Sequence, residues 1–393
     1  MEPPIENQNL GAVVLSAIQG VVIENITPPR PVSPDLFDWM ESYTPGPRQI
    51  APPKPKQPFS SPSRENLART HHTPSAARKT MGQFAKMTEE DKKIAIKLFD
   101  EKEVRGGQGT VSFGEVSVEG ATSPVVIKRG PGVCREALLS GNINSPHVVQ
   151  MILTDDGAIM PRAKGSLSDY TAQLQAFLTD DTQSDSLKTA LLLNMATQIL
   201  AGIKTFHLEA KEAHCDIKPQ NILISGTNQV MIADFGSATT NQRRNSEITP
   251  AYAAPELLGA SVECKLDIED MQFRASKADA WSFAAVIFNT VFGQKYFQGI
   301  APGLPYEDRL AVGAYLAECH NKHFPGDLLA RCRQLSPKLS TAVQSIVSGG
   351  LTISPEQRLS IGDLQELVAK LYEPLEQPIK AVWRTWHQAR RDG

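Results

Sequence analysis

The chain has 393 residues, with 40 Lys and Arg against 43 Asp and Glu, and therefore a formal net charge of −3. This length indicates two compact lobes or domains with additional segments, and a 41% apolar composition is sufficient for a sizeable core and excludes a fully disordered protein. The near-neutral charge argues against a general nucleic-acid or membrane-surface binder, because such proteins carry a strong basic excess.

The first 85 residues form a proline-rich arm. Half of the 28 prolines lie within residues 1–74, and because proline removes a backbone donor, we expect this region to be mostly disordered. Its Ser-Pro and Thr-Pro pairs are typical of linkers and also of proline-directed phosphorylation sites, and both interpretations stay open. The arm could also dock a partner protein.

The longest apolar stretch, residues 11–23, lies in this arm. It is interrupted by Ser16 and Gln19, is too short to span a bilayer, and is preceded by no Lys or Arg. We therefore expect neither a transmembrane segment nor a secretory signal.

Regular structure is predicted to begin near Thr88, which precedes three acidic residues in the manner of a helix start. Short β-like runs follow at residues 106–111 and 125–128. Residues 191–207 and 278–292 have the apolar periodicity of helices. The pattern predicts a small β-rich lobe followed by a larger helical lobe.

A glycine-rich turn precedes a strand that ends in a lysine. Gly106, Gly107 and Gly109 lack a Cβ, so backbone N–H groups could approach a phosphate closely, although a flexible turn is equally consistent with this pattern alone. Lys128 ends the apolar strand and could reach the phosphates of a nucleotide held under that turn. On its own, this lysine is more simply interpreted as a solvated strand end.

The strongest chemical signal comes from the octapeptide HCDIKPQN and the later tripeptide DFG. Asp216 can accept a proton from an attacking hydroxyl, and Lys218 can neutralise a moving phosphoryl group. Asn221 and Asp234 offer oxygen ligands for Mg²⁺, which bridges phosphate oxygens. The apolar runs between these two residues predict a short hairpin that holds their oxygens at a fixed separation.

In these motifs and their order, the sequence resembles the eukaryotic-type protein kinase family over roughly residues 100–373. The resemblance implies that Asp216 is the catalytic base and that Lys218 stabilises the phosphoryl group. It also implies that Lys128 holds the α- and β-phosphates of ATP and that Glu136 orients this lysine.

The resemblance implies three further groups of residues. The expected ATP-binding residues are Gly106, Gly107, Gly109, Val111, Val126, Lys128, Met160 and Ala163. The expected metal ligands are Asn221 and Asp234. The residues expected to organise the activation segment and the helical lobe, with Arg358 paired to Glu256, are Phe235, Gly236, Thr249, Glu256, Asp279 and Arg358.

The implied fold is α+β, a bilobal protein-kinase-like fold with a small β-rich N-lobe, a larger helical C-lobe and a disordered N-terminal arm. The expected boundaries are 1–85 for the arm, 88–373 for the kinase domain and 374–393 for a helical C-terminal tail. The N-lobe is expected at about 98–163 and the C-lobe at about 164–373.

The implied activity is transfer of the γ-phosphoryl group of ATP to protein substrates, dependent on Mg²⁺ with Mn²⁺ as a substitute. Lys218 and Thr249 resemble the serine/threonine branch of the family. Two rivals are a pseudokinase, which would bind without turnover, and a small-molecule phosphotransferase. The second generally lacks a peptide-positioning segment, which is present here as residues 249–256.

Three departures from the family pattern carry expectations. Val104 replaces the first glycine of the turn, which predicts altered ATP affinity. Cys215 replaces the arginine before the catalytic aspartate, which predicts activity without a phosphorylated activation loop. The short spacing from Lys128 to Glu136 predicts an abbreviated regulatory helix.

The remaining cysteines and histidines suggest no further chemistry. The five scattered cysteines contain no CxxC pair, so neither a disulfide framework nor a zinc site is expected. This indicates a cytoplasmic setting, or a host-cell cytosol if the protein is a secreted bacterial effector. His207 and His320 lack metal-ligand spacing and are predicted to be surface or packed helix residues.

Overall fold

The computed structural model describes nine ranges of the chain, residues 94–98, 104–106, 109–118, 121–154, 157–226, 228–238, 248–258, 268–296 and 308–375. Outside the described residues lie the proline-rich arm, the helix start expected at Thr88, Gly107, much of the activation segment and the expected C-terminal tail beyond residue 375.

The N-terminal lobe contains one antiparallel sheet, with strands β1 (Ile94–Leu98), β2 (Val104–Gly106), β3 (Gly109–Val118), β4 (Ala121–Arg129), β5 (Ile152–Thr154) and β6 (Gly157–Pro161). The strand order is β1-β3-β4-β6-β5, and β2 pairs with β3. The central strand β4 buries Val125, Val126 and Ile127. These residues are β-branched, and such residues favour strands. Because β1 belongs to this sheet, the lobe begins no later than Ile94, earlier than the expected boundary near residue 98.

One short helix, α1 (Val133–Ser140), packs against this sheet. It has only eight residues and follows Gly132, which adopts the left-handed conformation with φ 87°. Its length agrees with the abbreviated helix expected from the sequence. Val133 and Ala137 are buried in the small core of this lobe. An isolated helix of this length is unstable in water, so α1 depends on its contacts with the rest of the protein.

The C-terminal lobe is helical, with α2 (Leu167–Leu178), α3 (Asp185–Ala210), α4 (Ile268–Phe292), α5 (Arg309–Cys332), α6 (Pro337–Gly350) and α7 (Ile361–Tyr372). The two ranges predicted as helices, 191–207 and 278–292, lie within α3 and α4. Both helices contribute to the main hydrophobic core on several faces, which explains why their sequences are apolar nearly all round.

Among the described residues, only α3 is long and apolar enough to cross a membrane by length and composition. However, 72% of its most apolar window is buried inside the structure. A core helix of a lobe satisfies the same test, and that is the setting of α3 here.

A second sheet has three short strands, β7 (Gly165–Ser166), β8 (Ile222–Ile224) and β9 (Val230–Ile232). β8 and β9 form the hairpin predicted between Asn221 and Asp234. The backbone N–H of Val149 donates to the carbonyl of Ile232 at 2.9 Å, which connects the N-lobe to this hairpin. The predicted α+β fold with a sheet-containing lobe and a helical lobe is confirmed.

Candidate active site

Lys128 lies at the centre of a buried charge cluster. Its Nζ donates to both carboxylate oxygens of Glu136 at 2.9 and 2.8 Å and to Asp234 Oδ1 at 2.8 Å. Burial acts to lower the pKa of Lys128, but the carboxylates of Asp234 and Glu136 outweigh it and raise that pKa above its ordinary value. Lys128 is therefore a cation at neutral pH, and the cluster connects β4, α1 and the DFG motif.

Two glycines, at the starts of β3 and β6, pack closely against the backbone at the end of β4. Gly109 has φ +148° and Gly157 has φ +150°, a region that favours glycine. A Cβ on Gly109 would lie 2.0 Å from the carbonyl oxygen of Arg129, and one on Gly157 would lie 2.4 Å from that of Lys128. Close packing is thus a second reason for glycine at position 109, beside the phosphate approach expected from the sequence.

The other expected ATP-binding residues of the N-lobe lie on adjacent strands around Lys128. Gly106 ends β2 and pairs with Gly109 at the start of β3. Val111 of β3 is the direct cross-strand partner of Lys128, and Val126 of β4 is that of Met160 on β6. Gly107 lies outside the described residues.

The connection between the lobes leaves one backbone donor free. The N–H of Arg162 donates to the carbonyl of Pro124 at 3.1 Å, and the N–H of Lys164 donates to the carbonyl of Ile224 at 2.8 Å. Between them, the N–H of Ala163 has no hydrogen-bond partner among the described residues. It is therefore available to a ligand, in keeping with the ATP-binding role that the family resemblance implies for Ala163.

Asp216 is surrounded by hydrogen-bond donors. Its Oδ2 accepts from Lys218 Nζ at 2.6 Å and from Asn221 Nδ2 at 3.1 Å, and its Oδ1 accepts from the backbone N–H of Thr249 at 3.2 Å. Lys218 Nζ also donates to Thr249 Oγ1 at 2.9 Å. The structure thus brings four expected site residues together and holds the end of the activation segment against the catalytic loop.

The backbone that presents Asp216 is held by Asp279 of α4. The carboxylate of Asp279 accepts from the backbone N–H of His214 at 2.7 Å and from that of Cys215 at 2.8 Å. Cys215 has φ 62°, a conformation that a residue with a Cβ adopts only when the surrounding structure imposes it. Since Asp279 is fully buried, these two bonds fix the turn that carries the catalytic loop.

His207 is a residue of this site that the sequence did not reveal. Its Nε2 lies 2.7 Å from Asp279 Oδ2, so it supports the carboxylate that anchors the catalytic loop. The sequence predicted only a surface or packed helix residue. The one available signal was its position near the end of an apolar helix that leads directly into the catalytic octapeptide.

An aromatic stack fixes the DFG motif. Phe235 stacks on Phe206 of α3, with ring centroids 4.7 Å apart, and lies 5.4 Å from the ring of His214. His214 Nε2 lies 2.9 Å from the carbonyl oxygen of the residue before Asp234. Asp234 itself has φ 66° and is followed by a 3₁₀ turn that contains Gly236. These contacts hold the Asp234 carboxylate beside Lys128.

The side chains of Asn221 and Asp234 fit the expected divalent metal. Asn221 donates through Nδ2 to Asp216, and Asp234 uses Oδ1 to accept from Lys128, so each retains one oxygen without a partner among the described residues. Amide and carboxylate oxygens suit a hard cation. No group of three or more His, Cys, Asp and Glu side chains converges in the described part of the chain, so further ligands would be phosphate and water oxygens.

The expected pair between Glu256 and Arg358 lies behind this site, in the helical lobe. Arg358 is 1% exposed. Its guanidinium lies 5.2 Å from the ring centroid of Trp281 on α4 and donates to the carbonyl of Lys277 at 2.8 Å. The pair therefore joins the end of the activation segment to the core around α4.

Comparison with known proteins agrees with this geometry. The family model described as protein kinase domain matches residues 81–372. The chain is 30% identical over 223 residues to the serine/threonine-protein kinase US3 homolog of Equine herpesvirus 1 (strain Ab4p), covering 55% of this chain and 52% of that protein. It is 24% identical over 275 residues to mitogen-activated protein kinase kinase kinase 18 of Arabidopsis thaliana, covering 66% and 78%. The chain thus spans about half the length of the herpesvirus relative.

Proposed function

The chain belongs to the protein kinase family, and from this membership we propose that it transfers the γ-phosphoryl group of ATP to Ser or Thr hydroxyls of protein substrates. The observation that carries the proposal is the assembled site, in which the Lys128 cluster and the Asp216 cluster are both complete. A protein that only bound nucleotide, without turnover, would not require both clusters.

In the proposed reaction, the substrate hydroxyl oxygen attacks the γ-phosphorus of ATP, and the bond from that phosphorus to the β–γ bridging oxygen breaks. The hydroxyl proton passes to the Asp216 carboxylate, and ADP leaves with the bridging oxygen. Lys218, 2.6 Å from Asp216, offsets the negative charge of the transferring group. Catalysis rests on positioning and charge stabilisation rather than a covalent intermediate.

The nucleotide is proposed to lie between the two lobes. Lys128 would bind the α- and β-phosphates, since Glu136 and Asp234 hold its ammonium in a fixed position. The free N–H of Ala163 would bind the adenine. Asn221 and Asp234 would hold Mg²⁺, or Mn²⁺ in its place. The metal when bound neutralises phosphate charge.

Two observations support Ser/Thr over other acceptors. Lys218 donates to both Asp216 and Thr249. The two residues that resemble the serine/threonine branch, Lys218 and Thr249, therefore lie beside the carboxylate that is proposed to accept the hydroxyl proton. The curated relatives described above include a herpesvirus protein named a serine/threonine-protein kinase. The presence of the segment 249–256 also favours a protein substrate over a small molecule.

We further propose that activity requires no phosphorylated activation loop. Cys215 stands where an arginine would bind such a phosphate, and its side chain is 1% exposed. Thr249 nevertheless contacts Asp216 and Lys218 directly. These two contacts would hold the end of the segment beside Asp216 without a pair between an arginine and a phosphate.

Labelled γ-phosphate transfer followed by phosphoamino acid analysis tests this function. The protein is incubated with Mg·ATP and a generic basic protein, and acid hydrolysates of all labelled proteins are separated. Label on phosphoserine or phosphothreonine is expected. Label only on phosphotyrosine would contradict the proposed specificity, and absence of label together with nucleotide-dependent thermal stabilisation would identify a pseudokinase.

A further inference from the structure

The position of α1 decides whether Lys128 is paired with Glu136, because Glu136 lies on this helix. α1 has eight residues, and Gly132 at its N-terminal cap provides no side-chain hydrogen bond. Such a helix has little stability of its own. Contacts outside the helix must therefore hold Glu136 toward Lys128.

Arg135, the residue before Glu136, makes such a contact across the two lobes. Its Nη2 forms an ion pair with Glu212 Oε2. Glu212 follows the end of α3 and lies two residues before His214, which begins the catalytic octapeptide. In the described part of the chain, this is the one ion pair between α1 and the C-terminal lobe.

Adjacent residues of a helix point about 100° apart. Glu136 is directed into the core, where it is 2% exposed, while the Arg135 side chain is 46% exposed and reaches the C-lobe. Rotation or outward movement of α1 would separate both pairs together. The outer pair thus opposes the same motion that would disconnect Lys128 from Glu136.

We propose that Arg135 and Glu212 form a positioning pair that holds α1 in its catalytic orientation without a phosphorylated activation loop. The proposal rests on the proposed kinase function. Arg135 is not among the residues proposed to bind nucleotide or acceptor, and it acts through Glu136.

The test compares Arg135→Ala, Glu212→Ala and the double variant with the parent protein. Each single variant should lower kcat/KM for ATP by about twofold to fivefold, the factor expected of a partly exposed ion pair. The double variant should be no worse than either single one. Hydrogen exchange of the α1 amides, residues 133–140, should become faster in all three.

A charge exchange and a remote ion pair serve as controls. Combining Arg135→Glu with Glu212→Arg should restore both kcat/KM and the slow hydrogen exchange of the α1 amides. Arg135→Glu alone should lower kcat/KM more than Arg135→Ala does. Asp327→Ala breaks the Arg331–Asp327 pair of α5, whose side chains are 20% and 25% exposed, and should leave both readouts unchanged.

Unchanged α1 exchange and kcat/KM in Arg135→Ala would overturn the proposal while the kinase function stood. Additive losses of kcat/KM in the double alanine variant would overturn it as well. So would a charge-swapped variant, Arg135→Glu with Glu212→Arg, that recovers neither kcat/KM nor slow α1 hydrogen exchange. If the parent protein transferred no phosphate, the proposed function would fail. Hydrogen exchange in the presence of ATP would then still report whether Arg135 and Glu212 hold α1.

Discussion

Glu256 and Arg358, 102 positions apart in the chain, form a two-point ion pair inside the helical lobe. Arg358 Nη1 donates to Glu256 Oε1 at 2.6 Å, and Nη2 donates to Oε2 at 3.0 Å. The Glu256 side chain is 8% exposed and that of Arg358 is fully buried. A buried charge without its partner is costly, so the pair holds the end of the activation segment in one position.

Arg358→Ala should therefore lower the free energy of unfolding by about 3–5 kcal/mol, because it leaves the Glu256 carboxylate buried without its partner. Chemical denaturation measures the change. Arg333→Ala, which removes an exposed arginine, is the matched control and should stay within about 0.5 kcal/mol. Equal stabilities for the two variants would show that the pair is not needed by the fold.

Lys128→Met should reduce phosphoryl transfer by about 100-fold or more, since it removes a preorganised cation from the phosphates. Initial rates with labelled ATP measure this loss, and circular dichroism checks that the fold persists. Lys204→Met, at an exposed position on α3, should retain the parent rate. A Lys128→Met protein as active as this control would contradict the nucleotide assignment.

Gly157→Ala should destabilise the N-lobe and lower phosphoryl transfer together. The added Cβ would lie 2.4 Å from the Lys128 carbonyl at φ +150°, and such strain costs about 1–3 kcal/mol. Thermal unfolding and initial rates measure both effects. Gly226→Ala, where nothing lies within 4 Å of the added Cβ, should change neither. Tm values and initial rates that are the same for Gly157→Ala and Gly226→Ala would refute the packing argument.

His320 should make stability depend on pH. It is 3% exposed, contacts the Tyr296 hydroxyl and lies 2.9 Å from the Leu351 carbonyl oxygen. Burial lowers its pKa to about 4, and the positive charge of Arg358 acts in the same direction.

Because the folded-state pKa lies below the ordinary unfolded value of about 6.5, neutral His320 contributes its full stability above pH 6.5 and loses it as pH falls towards 4. Between pH 7 and pH 5 this residue alone should lower the free energy of unfolding by about 2 kcal/mol. Urea denaturation at both pH values should show that His320→Gln lacks this part of the loss. An identical pH dependence in the variant would mean that His320 is not held neutral.

Local motifs made the candidate catalytic residues predictable, because the proposed phosphoryl transfer needs the same groups at fixed short spacings. The octapeptide therefore indicated Asp216 and Lys218, and the spacing of Lys128 from Glu136 indicated the short helix α1. The order of β-like and helical runs was also sufficient to predict the two lobes.

Contacts between distant elements left no comparable signal in the sequence. His207 and Asp279 are separated by 72 positions, and Arg135 and Glu212 by 77, so neither pairing has a periodicity that could be recognised. The reason for glycine at Gly109 likewise became visible only when the Arg129 carbonyl was placed beside it. Such long-range contacts require the fold itself.

The role of Asp216 is the central claim, and Asp216→Asn tests it most directly. This variant keeps the size of the side chain but removes the carboxylate that accepts the hydroxyl proton. Single-turnover transfer of labelled γ-phosphate should fall by about 100-fold or more, while the thermal shift produced by Mg·ATP should match that of the parent protein. Transfer at the parent rate in Asp216→Asn would contradict the account.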